Sequence, residues 1–159
     1  MRPQTALLAR PHPAIVDTMR EAVTACGLTP HALSSREELL QWPPADVALI
    51  VVSTSVHSAV QESFEDTIRA ARRAHPKAPL VIATVVEPDH ARKVLGEMLV
   101  LYRIEGRLRT AAELAVGTHE HSEDHDILLV NRQELEQADS RVRVVNAMAR
   151  LVDGMVVGT

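Results

Sequence analysis

The chain has 159 residues, 46% hydrophobic and 24% charged, enough for one compact domain with its own core, which excludes a disordered segment or two full domains. Its formal charge of −4 offers phosphate backbones and anionic membranes no general attraction, and with Trp42, Phe64 and Tyr102 as its only aromatic residues it has no platform for stacking bases. No apolar run reaches the ~18 to 20 residues that cross a bilayer or forms a signal peptide, and Cys26 alone makes no internal disulfide, so a cytoplasmic protein is expected.

Thr5 to Ala9 reads as a short strand. After Arg10-Pro11-His12-Pro13 comes a helix in which Ile15, Met19, Ala22, Val23 and Cys26 recur at helical spacing. Gly27 ends it in the position that favours a left-handed residue, and Cys26 on the apolar face is expected to be a buried structural thiol. Leu28 to Leu33 supplies a second strand, with Pro30 suiting a strand start or an edge. Ser34 or Ser35 then caps a short helix, with Glu37 or Glu38 placed for a capping box, and Trp42-Pro43-Pro44 ends it. Val47 to Val52 is the clearest segment, a run of apolar, β-branched residues that reads as a central parallel strand buried on both faces. Beyond the polar turn Ser53-Thr54-Ser55, Val60, Phe64, Ile68 and Ala71 share one helix face up to His75-Pro76. Leu80 to Val86 repeats the buried-strand pattern, and Pro88 opens a helix carrying Ala91, Val94 and Leu95.

Past Gly96 two readings compete: Met98 to Ile104 is a fifth strand, or it is part of one helix from Pro88 to Val116. Gly96 and Gly106, each costing a helix about 1 kcal/mol, favour the strand. Arg107 to Val116 is then a fifth helix. The polar loop from Thr118 to Asp126 marks a boundary near Gly117, with an α/β domain over residues 1–117 and a loop plus helical extension over 118–159. In that extension Leu128, Leu135, Val142, Ala149 and Val156 form a heptad-like stripe, which must bury itself on the body or on a second copy. The alternative takes Ile127 to Val130 as a strand and only the remainder as helical.

Strands alternating with helices predict a flavodoxin-like, doubly wound parallel sheet of five strands, whose sites lie beyond the C-terminal strand ends. Four segments resemble the receiver domains of two-component response regulators over residues 5–117. They are Leu7-Leu8-Ala9 running into Pro13-Ala14-Ile15, Gly27, the run Ser34-Ser35-Arg36-Glu37-Glu38-Leu39-Leu40, and Pro79-Leu80-Val81-Ile82-Ala83-Thr84. The resemblance implies two acidic residues after the first strand that hold magnesium, a hard cation wanting oxygen ligands, and an aspartate ending the third strand that takes a phosphoryl group. Here the acidic pair falls on Arg10 and Pro11, and the aspartate on Val51, Val52 or Ser53 depending on register. Asp46 lies at the start of that strand, ~20 Å from the functional edge. The fourth-strand hydroxyl survives as Thr84, while Tyr102-Arg103-Ile104 stands where the family has lysine and proline.

His119-Glu120-His121 with Glu123, Asp124, His125 and Asp126 is the densest group of metal-ligating types, with His119, His121 and His125 the first candidates. It lies in a loop with no rigid element to hold tetrahedral geometry, so no metal is assigned. Arg69, Arg72, Arg73, His75 and Lys77 form a basic run at a helix end, where cations complement the helix dipole and a solvated face is expected. Ser53-Thr54-Ser55 has neither a G-x-S-x-G elbow nor an identifiable base, and no glycine-rich phosphate loop follows the first strand. The expectation is a phosphorylation-independent pseudo-receiver that docks a protein partner in bacterial signalling, with no enzymatic activity and no cofactor. Arg10, His12, Ser53 and Thr84 form its degenerate pocket, and the C-terminal helix gives a homodimer. Nucleic acid and membrane are not expected partners. A DNA-linked regulator, and a small-molecule sensor or enzyme using the strand-edge pocket, are the alternatives.

Overall fold

The computed structural model describes residues 4–9, 14–35, 37–53, 64–85, 88–115 and 126–157. Along them run β1 (Thr5–Ala9), α1 (Val16–Ala25), β2 (Thr29–Ala32), α2 (Glu38–Gln41), β3 (Val47–Ser53), α3 (Phe64–Ala74) and β4 (Leu80–Thr84). Then follow α4 (Pro88–Leu101), β5 (Arg107–Thr110), α5 (Ala111–Ala115), β6 (Asp126–Asn131), α6 (Arg132–Glu136) and α7 (Ala138–Val157). The strands form one sheet of six in the order β2-β1-β3-β4-β6-β5, every pair parallel.

A parallel sheet with helices on both sides needs apolar residues of both parities, and the central strands supply them. Leu8, Val51, Val81 and Leu128 join a core with Met19 of α1, Leu114 of α5, Leu135 of α6 and Met148 of α7. Leu7, Ile50, Ile82 and Ile127 face the other way, into a core with Leu39 of α2, Ile68 of α3 and Leu95 of α4. α2 is tied to α3 by His75, whose Nε2–H donates to the Leu39 carbonyl at 2.7 Å. Pro30 sits on an edge strand, as its missing N–H requires. The box expected at Ser34 or Ser35 is half made: Glu38 Oε1 accepts the Ser34 N–H at 3.0 Å, while no side chain caps α2 in return.

Several expectations are corrected. Met98 to Leu101 is helix, the last turn of α4, and not a fifth strand. A Cβ at Gly96 would meet nothing within 4 Å, so that glycine costs the helix only its propensity, and burial of Ala91, Leu95 and Leu99 outweighs about 1 kcal/mol. α4 stops six residues short of β5 through the same bond pair that closes α1. Leu28 N–H reaches Val23 O at 3.1 Å and Gly27 N–H reaches Thr24 O at 2.9 Å; Ile104 N–H reaches Leu99 O at 2.8 Å and Arg103 N–H reaches Val100 O at 3.2 Å. The left-handed residue is Gly27 (φ 81°) in the first case and Arg103 (φ 55°) in the second.

The fifth helix expected from Arg107 is a four-residue strand followed by α5, because Thr110 and Glu113 form a capping box that starts the helix there. Glu113 N–H donates to Thr110 Oγ1 and Thr110 N–H to Glu113 Oε1, both at 3.2 Å. The boundary expected near Gly117 does not divide the sheet: β6, from beyond it, pairs with β4 on one side and β5 on the other. The alternative that made Ile127 to Val130 a strand is the observed one, and the sheet has six strands where five were expected.

The heptad stripe dissolves for the same reason. Leu128 lies in β6 and Leu135 in α6, and Val142 on α7 is 59% exposed. The face α7 buries carries Val144, Ala147, Met148 and Val152, and it lies on the chain's own body. Arg141 pairs with Glu21 of α1 at 2.8 Å, and the Cys26 thiol donates to Val145 O at 3.3 Å. Burial pushes that thiol up to about 11, as a structural cysteine requires. A dimer through this face would have to displace the body that already covers it. No described helix is long and apolar enough to cross a membrane.

The edge beside β5 is held by charge. Arg92 grips Glu113 through two nitrogens, at 2.7 and 2.9 Å, while Arg109 approaches Glu113 at 3.5 Å and Asp126 at 3.6 Å. The Arg92 hydrogen bonds, aided by Thr110, hold the Glu113 carboxyl down at about 2 from an ordinary 4.5. A carboxyl depressed on folding stabilises above its unfolded value and loses that contribution as pH falls. Melting temperature is therefore expected to drop in the wild type as pH goes from about 4.5 towards about 2, with a shallower drop in Glu113→Gln. For the tail, Met148→Ala is expected to cost about 2–5 kcal/mol in urea unfolding, and truncation after Gly117, which deletes β6, should leave no cooperative transition.

Candidate functional site

In an open parallel α/β sheet the C-terminal strand ends form the crevice where ligands and partners are met. Three adjacent strands end there in polar residues: Ser53 on β3, Thr84 on β4 and Asn131 on β6. Ser53 is in register with Ala83, one residue before Thr84, and Thr84 is in register with Asn131, so Thr84 lies on the strand between the other two, adjacent strands being ~5 Å apart. They are 5%, 2% and 7% exposed, and they are three of the five buried polar or charged residues among those described.

Of the three register choices for the third-strand position, Ser53 is the one that ends β3. Thr84 ends β4 as expected. The position after the strand beside β4 belongs to Asn131-Arg132 and not to Tyr102-Arg103-Ile104, which closes α4 at the opposite end of the sheet. Arg10 and His12, expected in the same pocket, lie outside the described residues, as do His119, His121 and His125. Among the described residues no three His, Cys, Asp or Glu side chains gather as a metal site.

Asn131 is the residue that sequence reasoning missed, although the N-x-x-E pattern of Asn131 and Glu134 was there to be read. Its Oδ1 accepts the Glu134 N–H at 2.8 Å, and its own N–H donates to Glu134 Oε1 at 3.1 Å, a complete capping box at the start of α6. The Glu134 carboxyl is pushed up by burial against the opposing pull of that N–H. Asn131 thus spends its acceptor on the fold and keeps its amide donors on the sheet edge. The described residues that end β1, β3, β4 and β6, Ala9, Ser53, Thr84 and Asn131, are uncharged, while Arg132 follows Asn131 and the Glu134 carboxylate is taken up in its capping box. The arrangement can donate and accept neutral hydrogen bonds, but these residues bring no charge to a hard cation and no carboxylate to a phosphoryl group.

No family model and no curated protein matches the chain. Among solved structures, it is similar to a response regulator receiver domain protein from Clostridium thermocellum, with a TM-score of 0.60 at 8% identity over 98% of this chain and 99% of that one. A response regulator receiver protein from Sinorhizobium medicae gives a TM-score of 0.53 at 15% identity, covering 96% and 97%. An adenylate cyclase from Rhodopirellula baltica gives 0.52 at 13% identity, covering 98% and 94%. At such identities the likeness carries the fold and no activity. The chain has the fold of response regulator receiver domains, with β6 taking the place beside β4 and β5 forming the outer edge.

Because Asn131 caps α6, Asn131→Ala is expected to lose about 1 kcal/mol in urea unfolding, whereas Asn131→Asp, which keeps the accepting oxygen, stays close to wild type.

Proposed function

We propose that the protein is a pseudo-receiver, a non-enzymatic signalling module that works by docking a protein partner and takes no aspartyl phosphate. The observation that carries this reading is Ser53 at the end of β3, a buried hydroxyl next to β4 and its terminal Thr84, where receiver chemistry needs a carboxylate. A hydroxyl is a far weaker nucleophile than a carboxylate without an adjacent base. In the sequence Arg10-Pro11 follows β1, so the positions that would hold magnesium supply a cation and an imino acid in place of two carboxylates.

A module of this kind signals through partner affinity in place of a phosphorylation switch. Incubation with acetyl phosphate and magnesium, followed by intact mass measurement, is expected to leave the chain unmodified and its melting temperature unchanged. A hydroxylamine-sensitive adduct of one phosphoryl group would overturn the reading. Capture from the native host is expected to retain the same partner with or without acetyl phosphate, and Ser53→Arg is expected to lose it.

A further inference from the structure

The basic run on α3 does not simply face solvent. The C-terminal half of α3 and the turn after α4 enclose a groove of about 530 Å³ at the N-terminal end of the sheet, lined by Arg69, Arg72, Arg73, Pro76, Arg103 and Glu105, with Ile104 as an apolar wall. Its size suits a small ligand. Four guanidinium groups face one carboxylate, in a chain whose overall charge is −4. A cleft lined by one sign of charge focuses its field and concentrates counter-ions.

Arg69 builds the groove, Arg72 both builds it and keeps a donor unpaired, and Arg73 and Arg103 are left to serve it. Arg69 donates to Tyr102 O at 2.9 Å and lies 5.2 Å over the Tyr102 ring, fixing the turn to α3. Arg72 reaches Glu105 O at 3.5 Å, yet its buried Nε–H has no hydrogen-bond partner. Leaving a buried donor of a charged group unpaired is costly and asks for an explanation. Burial pulls the Arg72 guanidinium below its ordinary range, against the opposing charge of Glu105, so an anion in the groove would relieve it.

Arg73 and Arg103 are exposed, and among the described residues neither has an ion-pair partner. Arg103 also occupies the left-handed closing position of α4, φ 55°, which glycine fills at Gly27 on α1 and which any side chain adopts at a cost. Among the described residues it is the one non-glycine with positive φ. A residue held in such a conformation and presenting a charge to a cleft marks a position kept for what it binds.

We infer that this groove is a binding site for the phosphoryl group of a small phosphorylated ligand, a phosphate ester or anhydride, held by the guanidinium groups of Arg72, Arg73 and Arg103. Guanidinium forks match phosphate oxygens two at a time, which favours phosphate over a point-charge anion. The negative overall charge disfavours a long polyanion such as duplex nucleic acid. The site lies at the opposite end of the sheet from Ser53, Thr84 and Asn131, and it stands independently of the pseudo-receiver reading.

The test is calorimetric titration of the full chain with pyrophosphate and with ATP, citrate serving as the matched anion and a DNA duplex as the competing polyanion. Saturable binding of pyrophosphate or ATP, with a rise in melting temperature, is expected, and citrate should give neither. Arg103→Gly is expected to raise the melting temperature of the free protein by about 2–4 °C, as the left-handed strain is relieved, while weakening phosphate binding about tenfold. Glu105→Gln should tighten binding, and Arg20→Ala, on the far face, should change nothing. Equal binding of citrate, tighter binding of the duplex, or an Arg103→Gly variant that binds as the wild type does would each overturn the assignment.

Discussion

Everything in this fold depends on β6 being paired on both edges. A parallel strand flanked by two others has its backbone donors and acceptors satisfied and both faces buried, and Ile127 to Val130 meet that condition with four apolar residues between β4 and β5. Remove it and β4 becomes an open edge, β5 has nothing to pair with, and α5, α6 and α7 lose the surface they cover. The tail is therefore part of the core. Met148 and Val144 are as buried as the sheet residues beneath them.

From that arrangement the molecule acquires two unlike ends. At the C-terminal strand ends, neutral polar groups are buried and one of them, Asn131, is already committed to starting α6. At the N-terminal ends, arginines from α3 and from the turn after α4 converge without enough carboxylate to neutralise them. A receiver concentrates negative charge at the first of these ends to hold a cation. Here the described residues that end β1, β3, β4 and β6 are uncharged, while four arginines line the groove at the other end. The two ends differ in charge placement although both rest on the same sheet.

Much of the architecture was legible from residue pattern. Val47 to Val52 and Leu80 to Val86 read as buried parallel strands because β-branched runs of that length have no amphipathic alternative, the second strand ending at Thr84, and Gly27 read as a helix end because its position needs positive φ. Errors gathered where local signals conflict with tertiary burial. Gly96 and Gly106 argued for a strand at Met98, yet packing of Leu95 and Leu99 on the sheet made the helix. A spacing of seven in the tail joined residues from a strand and two helices into one false stripe. The capping boxes at Thr110 and Asn131 were local signals strong enough to have located α5 and α6 from the sequence.

The sequence by itself determined the class of fold, the chain order of its first four strands and the structural role of Cys26, because each is a matter of residue type at short range. Only the tertiary structure decided which strand lies beside β4, that α7 belongs to the body, and that Arg103 meets Arg72 and Arg73 across a groove. Those facts depend on pairings between residues tens of positions apart, whose free energy comes from burial and shared hydrogen bonds that no local pattern encodes.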